Sequence, residues 1–254
     1  MKTILIAALF TFTLACDGSG GTTLRVGTLS DSPPNMYQEN GNYTGFDNEL
    51  LKAIAAKQSL ELEFAATDFS ALLGRVASGE FAIGSSAISQ TEERKKTVDF
   101  SDAYNFQTTS IQTREGVPIT DENSLPGKRV CVTQATVSDF WVTSTVPQAL
   151  IVRFPDVTAG LSALKTGAVD ACVLDQSTAE KFVALYPEAK LKVTKSFTTG
   201  VSHGYAVRKG NAELRDKINA GLRQVIADGT WEELHQRFLP TEPVPDQFKA
   251  GKSK

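Results

Sequence analysis

One arginine in this chain stands in a setting that suggests chemistry. Within Ser85 to Tyr104, which reads SSAISQTEERKKTVDFSDAY, Arg94 lies between a turn rich in small hydroxyl residues and the run DFSDAY. A guanidinium is planar, always charged, and shaped to meet both oxygens of one carboxylate. By its letters alone TEERKK is a charge run of the kind that covers a solvated helix face. No GxSxG, HExxH, phosphate-binding loop or dinucleotide fingerprint occurs anywhere in the sequence. The two histidines are His203 and His235, the second inside an amphipathic helical pattern. Cys131 and Cys172 lie in the apolar runs Val130-Cys131-Val132 and Ala171-Cys172-Val173, with neither zinc-ligand nor redox spacing. They read as two small core residues, with a disulfide open to them in an oxidising compartment.

A residue with such a role needs a scaffold, and the rest of the chain writes one twice. Leu24 to Gly27 is a short strand, and Asp47 is placed to cap a helix whose Leu50, Leu51, Ile54 and Ala55 share one face. Leu60 to Phe64 alternates as a strand, Ser70 to Ser78 is a helix stopped by Gly79, and Ala82 to Ser85 returns as a strand. Such alternation predicts an α/β fold with a mostly parallel sheet covered by helices. The pattern recurs with strands at Arg129 to Val132, Leu150 to Phe154 and Ala171 to Leu174, and helices after Ser138 and from Thr158 to Lys165. Leu73, Val76 and Gly79 reappear as Leu161, Leu164 and Gly167 at a constant offset of 88 residues, which predicts two lobes of similar architecture. Ser177 with Glu180, and Thr230 with Glu233, are spaced as capping boxes. Between them Asn211 to Asp228 reads as a helix with Leu214, Ile218, Leu222, Val225 and Ile226 on one face.

The segment Ser85 to Tyr104 resembles the signature of the bacterial extracellular solute-binding proteins of family 3, which capture amino acids for ABC importers. The resemblance runs from about Leu24 to Leu239. It implies a two-lobed type II periplasmic-binding-protein fold, with two parallel-rich sheets flanked by helices. Residues 24–108 with 204–239 would form lobe 1 and 109–203 lobe 2, joined by hinge crossings near Phe106 to Ser110 and Val201 to Tyr205. It also implies a ligand set. Arg94 would grip an α-carboxylate, with Ser89 adding hydroxyl and backbone contact. The Ala87 carbonyl and Asp175 would meet the ammonium. Thr136 and the Val137 N–H, at a strand-to-helix turn in lobe 2, would add donors where a helix N-terminus favours an anion. Phe69 would stack its ring on the ligand. Capping of the next helix stays open as the other reading of Asp175, and a core position as that of Phe69.

Two departures bear on specificity. Leu29 occupies the place where several binders of polar and basic amino acids carry aspartate, and Ser32 the place where an aromatic ring is common. Those changes favour a polar or neutral amino acid over a basic one, unless Asp31 supplies the missing carboxylate. The resemblance implies a monomer without cofactor or metal, partnered by the transmembrane subunits of an ABC permease. A cyclohexadienyl-dehydratase-like enzyme on the same scaffold is one alternative, although no residue is singled out as the acid such chemistry needs. A ligand-sensing module for signalling is another.

The N-terminal residues suit an exported receptor. Ile4 to Leu14 is apolar apart from threonines, too short for a membrane span and suited to a signal-peptide core. Leu14-Ala15-Cys16 resembles a lipobox, which makes residues 1–15 a signal peptide and Cys16 the lipidated first residue. Thr13-x-Ala15 also suits ordinary cleavage at the same bond. Residues 16–23 then tether the protein to the outer face of the cytoplasmic membrane, or release it in the periplasm. With Lys2 removed the formal charge moves from -3 to -4, which argues against nucleic acid as a partner. The proline-rich, then basic, stretch 240–254 reads as a flexible tail.

Overall fold

The computed structural model describes residues 23–251, so the expected signal peptide and Cys16 lie outside the described residues. The chain opens with β1 (Leu24–Thr28), then a small antiparallel sheet of β2 (Asp31–Ser32), β3 (Met36–Glu39) and β4 (Asn42–Thr44). Helix α1 (Phe46–Lys57), β5 (Leu62–Ala66), α2 (Phe69–Ser78), β6 (Ile83–Ser85), the one-turn α3 (Glu92–Lys95) and β7 (Val98–Phe100) follow. The chain then crosses to a second sheet. This part contains β8 (Asn105–Arg114), β9 (Arg129–Thr133), α4 (Val137–Thr145), β10 (Leu150–Phe154), α5 (Val157–Thr166), β11 (Ala171–Asp175), α6 (Gln176–Leu185) and β12 (Leu191–His203). It returns through β13 (Ala206–Arg208), α7 (Ala212–Ala227) and α8 (Thr230–Phe238).

The protein is therefore two-lobed, and the two five-stranded sheets have matching orders, β5-β1-β6-β13-β7 and β10-β9-β11-β8-β12. Each has three parallel strands, then one antiparallel strand donated by a crossing, then an edge strand. Both faces of each sheet are covered, as parallel sheets require. In lobe 1, Phe46, Leu50, Tyr104 and Trp231 pack on one side and Leu72, Val76, Phe81 and Ile88 on the other. The 88-residue offset has a backbone cause. Gly79 ends α2 at φ 85° and Gly167 ends α5 at φ 81°, the left-handed cap that glycine adopts without strain.

Several local expectations are corrected. Asp47 does not cap α1, which starts after Gly45; its carboxylate is buried and bonded elsewhere. Ser177 and Thr230 are not caps either, because α6 begins directly after Asp175 and α8 after Gly229 in the left-handed region. The second strand runs Leu62–Ala66 rather than from Leu60, since Leu24 pairs with Leu62 in the parallel ladder. Cys131 and Cys172 are bridged: β9 and β11 are neighbours, the two residues are register partners, and their Cα atoms are 4.4 Å apart. The C-terminal stretch is docked as far as Phe248 rather than loose. Phe248 is 3 % exposed, packed on Trp231 and near Phe106, and the Thr241 hydroxyl donates to Glu180 of α6 at 3.0 Å.

Candidate functional site

The turn between β6 and α3 is held from below by the start of α1. The Ser85 and Thr28 hydroxyls both donate to Asn48 Oδ1, at 3.2 and 3.1 Å. The Ala87 N–H donates to the Asp47 carboxylate, which also accepts from the Tyr104 hydroxyl at 2.7 Å. This fixes Ala87 at φ 43°, a left-handed conformation that costs a residue with a Cβ. Burial pushes the Asp47 carboxyl up to about 7, although the bonds from Tyr104 and Ala87 oppose the rise.

Thr91 caps α3 by accepting from the Arg94 N–H at 3.3 Å, and the Arg94 side chain turns back into the protein. It is 8 % exposed, and its NH1 donates to the Ser89 carbonyl at 3.0 Å. Its NH2 reaches across to the Ala135 carbonyl of lobe 2, also at 3.0 Å. The guanidinium carbon sits 5.0 Å from the Phe69 ring centroid, a cation–π distance. Burial lowers its pKa to about 10, with Asp175 acting in the other sense, so it stays charged at neutral pH. Lys95 and Lys96 differ in kind: both are exposed, paired with Glu92 and Glu93.

Two of the three strand-to-helix turns of lobe 2, those after β9 and β11, carry the expected ligand residues. At the first, the Thr136 hydroxyl donates to the Thr133 carbonyl at 2.7 Å and accepts from the Asp139 N–H at 3.2 Å, capping α4. At the second, Asp175 holds the cap position of α6, yet its side chain makes no cap bond. Its Oδ1 instead accepts from Gln107 Nε2 at 2.7 Å. Burial raises the Asp175 pKa, opposed by that bond and by Arg94.

These parts enclose one cavity between the lobes. Phe69, Ala87, Ser89, Arg94, Thr136, Val137 and Asp175 all line it. Asp31 does not. Its Oδ2 accepts from the Thr158 N–H at 2.8 Å, at the start of α5 across the cleft, and it borders a separate open pocket beyond Leu29. The expectation that Asp31 could face the ligand is therefore corrected, because β2 runs it past the cavity towards α5. Sequence reasoning missed Gln107, Ser86, Met36, Thr133 and Thr178, which also line the cavity. Gln107 falls in the predicted hinge segment, but nothing in its spacing marks it. Ser32, noted for what it replaces, lines the cavity with its hydroxyl buried and unpartnered. Among the described residues no group of three or more His, Cys, Asp or Glu is arranged to hold a metal, and no helix is long and apolar enough to cross a membrane.

A two-lobed fold with a charged pair facing one interlobe cavity defines a class of solute receptor. The chain belongs to the bacterial extracellular solute-binding proteins, family 3, which it matches over residues 24–241. A probable histidine-binding protein of Campylobacter jejuni is 27% identical over 94% of this chain and 99% of its own length. The arginine-binding extracellular protein ArtP of Bacillus subtilis is 29% identical over 94% and 97%. Among solved structures, an ancestral arginine-binding protein with arginine bound is 36% identical over 85% of this chain and 98% of its own, with a TM-score of 0.83. An ancestral arginine-binding protein bound to glutamine is likewise 36% identical, over 85% of this chain and 97% of its own, with a TM-score of 0.83.

Proposed function

We propose that this protein captures a free amino acid with an uncharged side chain and passes it to the permease of an ABC importer. The observation that carries the reading is the charge inventory of the cavity: Arg94 and Asp175 are the ionisable side chains lining it. One cation and one anion match the α-carboxylate and α-ammonium, and no second carboxylate remains for a cationic side chain. The Ser32 hydroxyl, buried without a partner, supplies a polar contact for the rest of the ligand. Relatives named for histidine and arginine support amino-acid binding but lean towards basic ligands, and the pair of ancestral structures gives both a basic and a neutral precedent.

Capture would close lobe 1 (24–108 and 204–239) on lobe 2 (109–203), with the Asp31–Thr158 and Arg94–Ala135 bonds forming across the cleft. A thermal-shift screen against the twenty amino acids tests the proposal, since a ligand at 100 times its Kd adds about 2.7 kcal/mol. Uncharged polar amino acids should stabilise most. Stabilisation by arginine, lysine or histidine alone would overturn the uncharged reading. Turnover of prephenate or arogenate, with no amino acid binding, would favour a dehydratase. For location, the motif Leu14-Ala15-Cys16 supports a lipid-anchored mature chain. Cys16→Ser should move the protein from the membrane to the soluble fraction.

A further inference from the structure

Gln107 is 2 % exposed and lies near the start of β8, where the chain first crosses between the lobes. Its side chain has four polar contacts. Oε1 accepts from the Ser89 hydroxyl at 2.9 Å and lies 2.8 Å from His203 Nε2; Nε2 donates to Thr109 Oγ1 at 3.2 Å and to Asp175 Oδ1 at 2.7 Å. A carboxylate only accepts, so the amide must present its NH2 group to Asp175. That orientation sends Oε1 to the opposite side, where it can only accept, and the proton of His203 must therefore sit on Nε2. Burial, and then the nearby charge of Arg94, lower the His203 pKa to about 3, so the ring stays neutral and remains a single donor at neutral pH.

The four partners come from four places. Ser89 belongs to the lobe 1 turn that carries Arg94, His203 ends β12 at the return crossing, Thr109 lies farther along β8, and Asp175 ends β11 in lobe 2. We propose that Gln107 is a positioning residue for amino-acid recognition. Its amide holds the Asp175 carboxylate towards the ligand's ammonium and is itself oriented by His203 and Ser89. The inference rests on the reading of Asp175 as the ammonium partner. If the His203 N–H were lost, the amide could turn over and set its oxygen against the Asp175 carboxylate, where two acceptors repel. A residue that merely filled space would have no such dependence on the ligand's ammonium.

The test is calorimetric titration of wild type, Gln107→Met and His203→Phe. Each would be titrated with the amino acid that most stabilises the wild type and with its deaminated analogue. Gln107→Met keeps the volume and removes all four bonds; it should weaken the amino acid about 10- to 100-fold and the analogue less than about threefold. His203→Phe keeps a ring and removes one donor, and should give the same selectivity with a smaller loss. In wild type, nitrogen-15 NMR should show His203 protonated at Nε2, a signal lost as a hydrogen-bonded donor in Gln107→Met. Equal losses for both ligands, or no loss in either variant, would overturn the proposal. So would a His203 ring protonated at Nδ1. If Gln107→Met does not fold, His203→Phe decides by the same ratio. A wild type that binds no amino acid would overturn the functional reading itself, a result distinct from unselective variants.

Discussion

Two of the three strand-to-helix turns of lobe 2, after β9 and after β11, begin alike and end differently. After β9, Thr136 takes the N-cap position of α4 and its hydroxyl serves the helix. After β11, Asp175 takes the same position at α6, but its carboxylate leaves the helix N-terminus uncapped and turns to Gln107. A cap bond stabilises a helix by about 1 kcal/mol, so an aspartate at an N-cap that forgoes it is aimed at something else. The contrast separates a hydroxyl engaged by its own turn from a carboxylate that leaves its helix, although both residues line the same cavity.

Six substitutions at five positions sharpen or break that contrast. The largest effect is expected at Arg94, which faces both turns. Removing a buried guanidinium that grips a carboxylate costs about 2 to 5 kcal/mol, which is about 30-fold to several thousand-fold in Kd. Calorimetry on Arg94→Ala should show it, and Arg94→Lys should recover only part, for lack of the planar fork. Next comes Asp175→Asn, which should weaken an amino acid about 10- to 100-fold while changing its deaminated analogue less than about threefold. Equal losses would mean that the second turn serves the fold after all. Thr136→Ala should do the reverse: a stability loss of about 1 kcal/mol in urea unfolding, with affinity kept within about threefold. A large affinity loss there would erase the distinction. Smallest are Lys95→Ala and Lys96→Ala, exposed neighbours of Arg94, which should each change Kd by less than about threefold.

What the sequence made legible was periodic or punctuated. Strands of β1 and β9, the inward faces of α2 and α5, and the paired stops at Gly79 and Gly167 follow from local pattern. Arg94 stood out against Lys95 and Lys96 through its resemblance to a family segment, and the structure buries it while leaving them in solvent. Contacts set by chain path were not legible. Asp47 looks like a cap at its own helix, but the approach of the Ala87 turn makes it a buried brace. Asp31 lies in the short strand β2, whose course, and not its letters, carries the aspartate to α5. The pairing of Cys131 with Cys172 depends on β9 lying beside β11, which spacing alone cannot tell. Gln107 had no signal at all, because an amide's role lies in which four groups surround it.

The bridge between Cys131 and Cys172 lies wholly inside lobe 2, joining strands 41 residues apart, and lobe 1 has no counterpart among the described residues. In the chain-entropy picture, closing a loop of that size removes about 4 kcal/mol of freedom from the unfolded chain. That constraint acts only where thiols are oxidised. The same polypeptide is thus a weaker fold with these thiols reduced than with them bridged. With its thiols free lobe 2 is easier to unravel, and closing the bridge makes the folded lobe harder to undo.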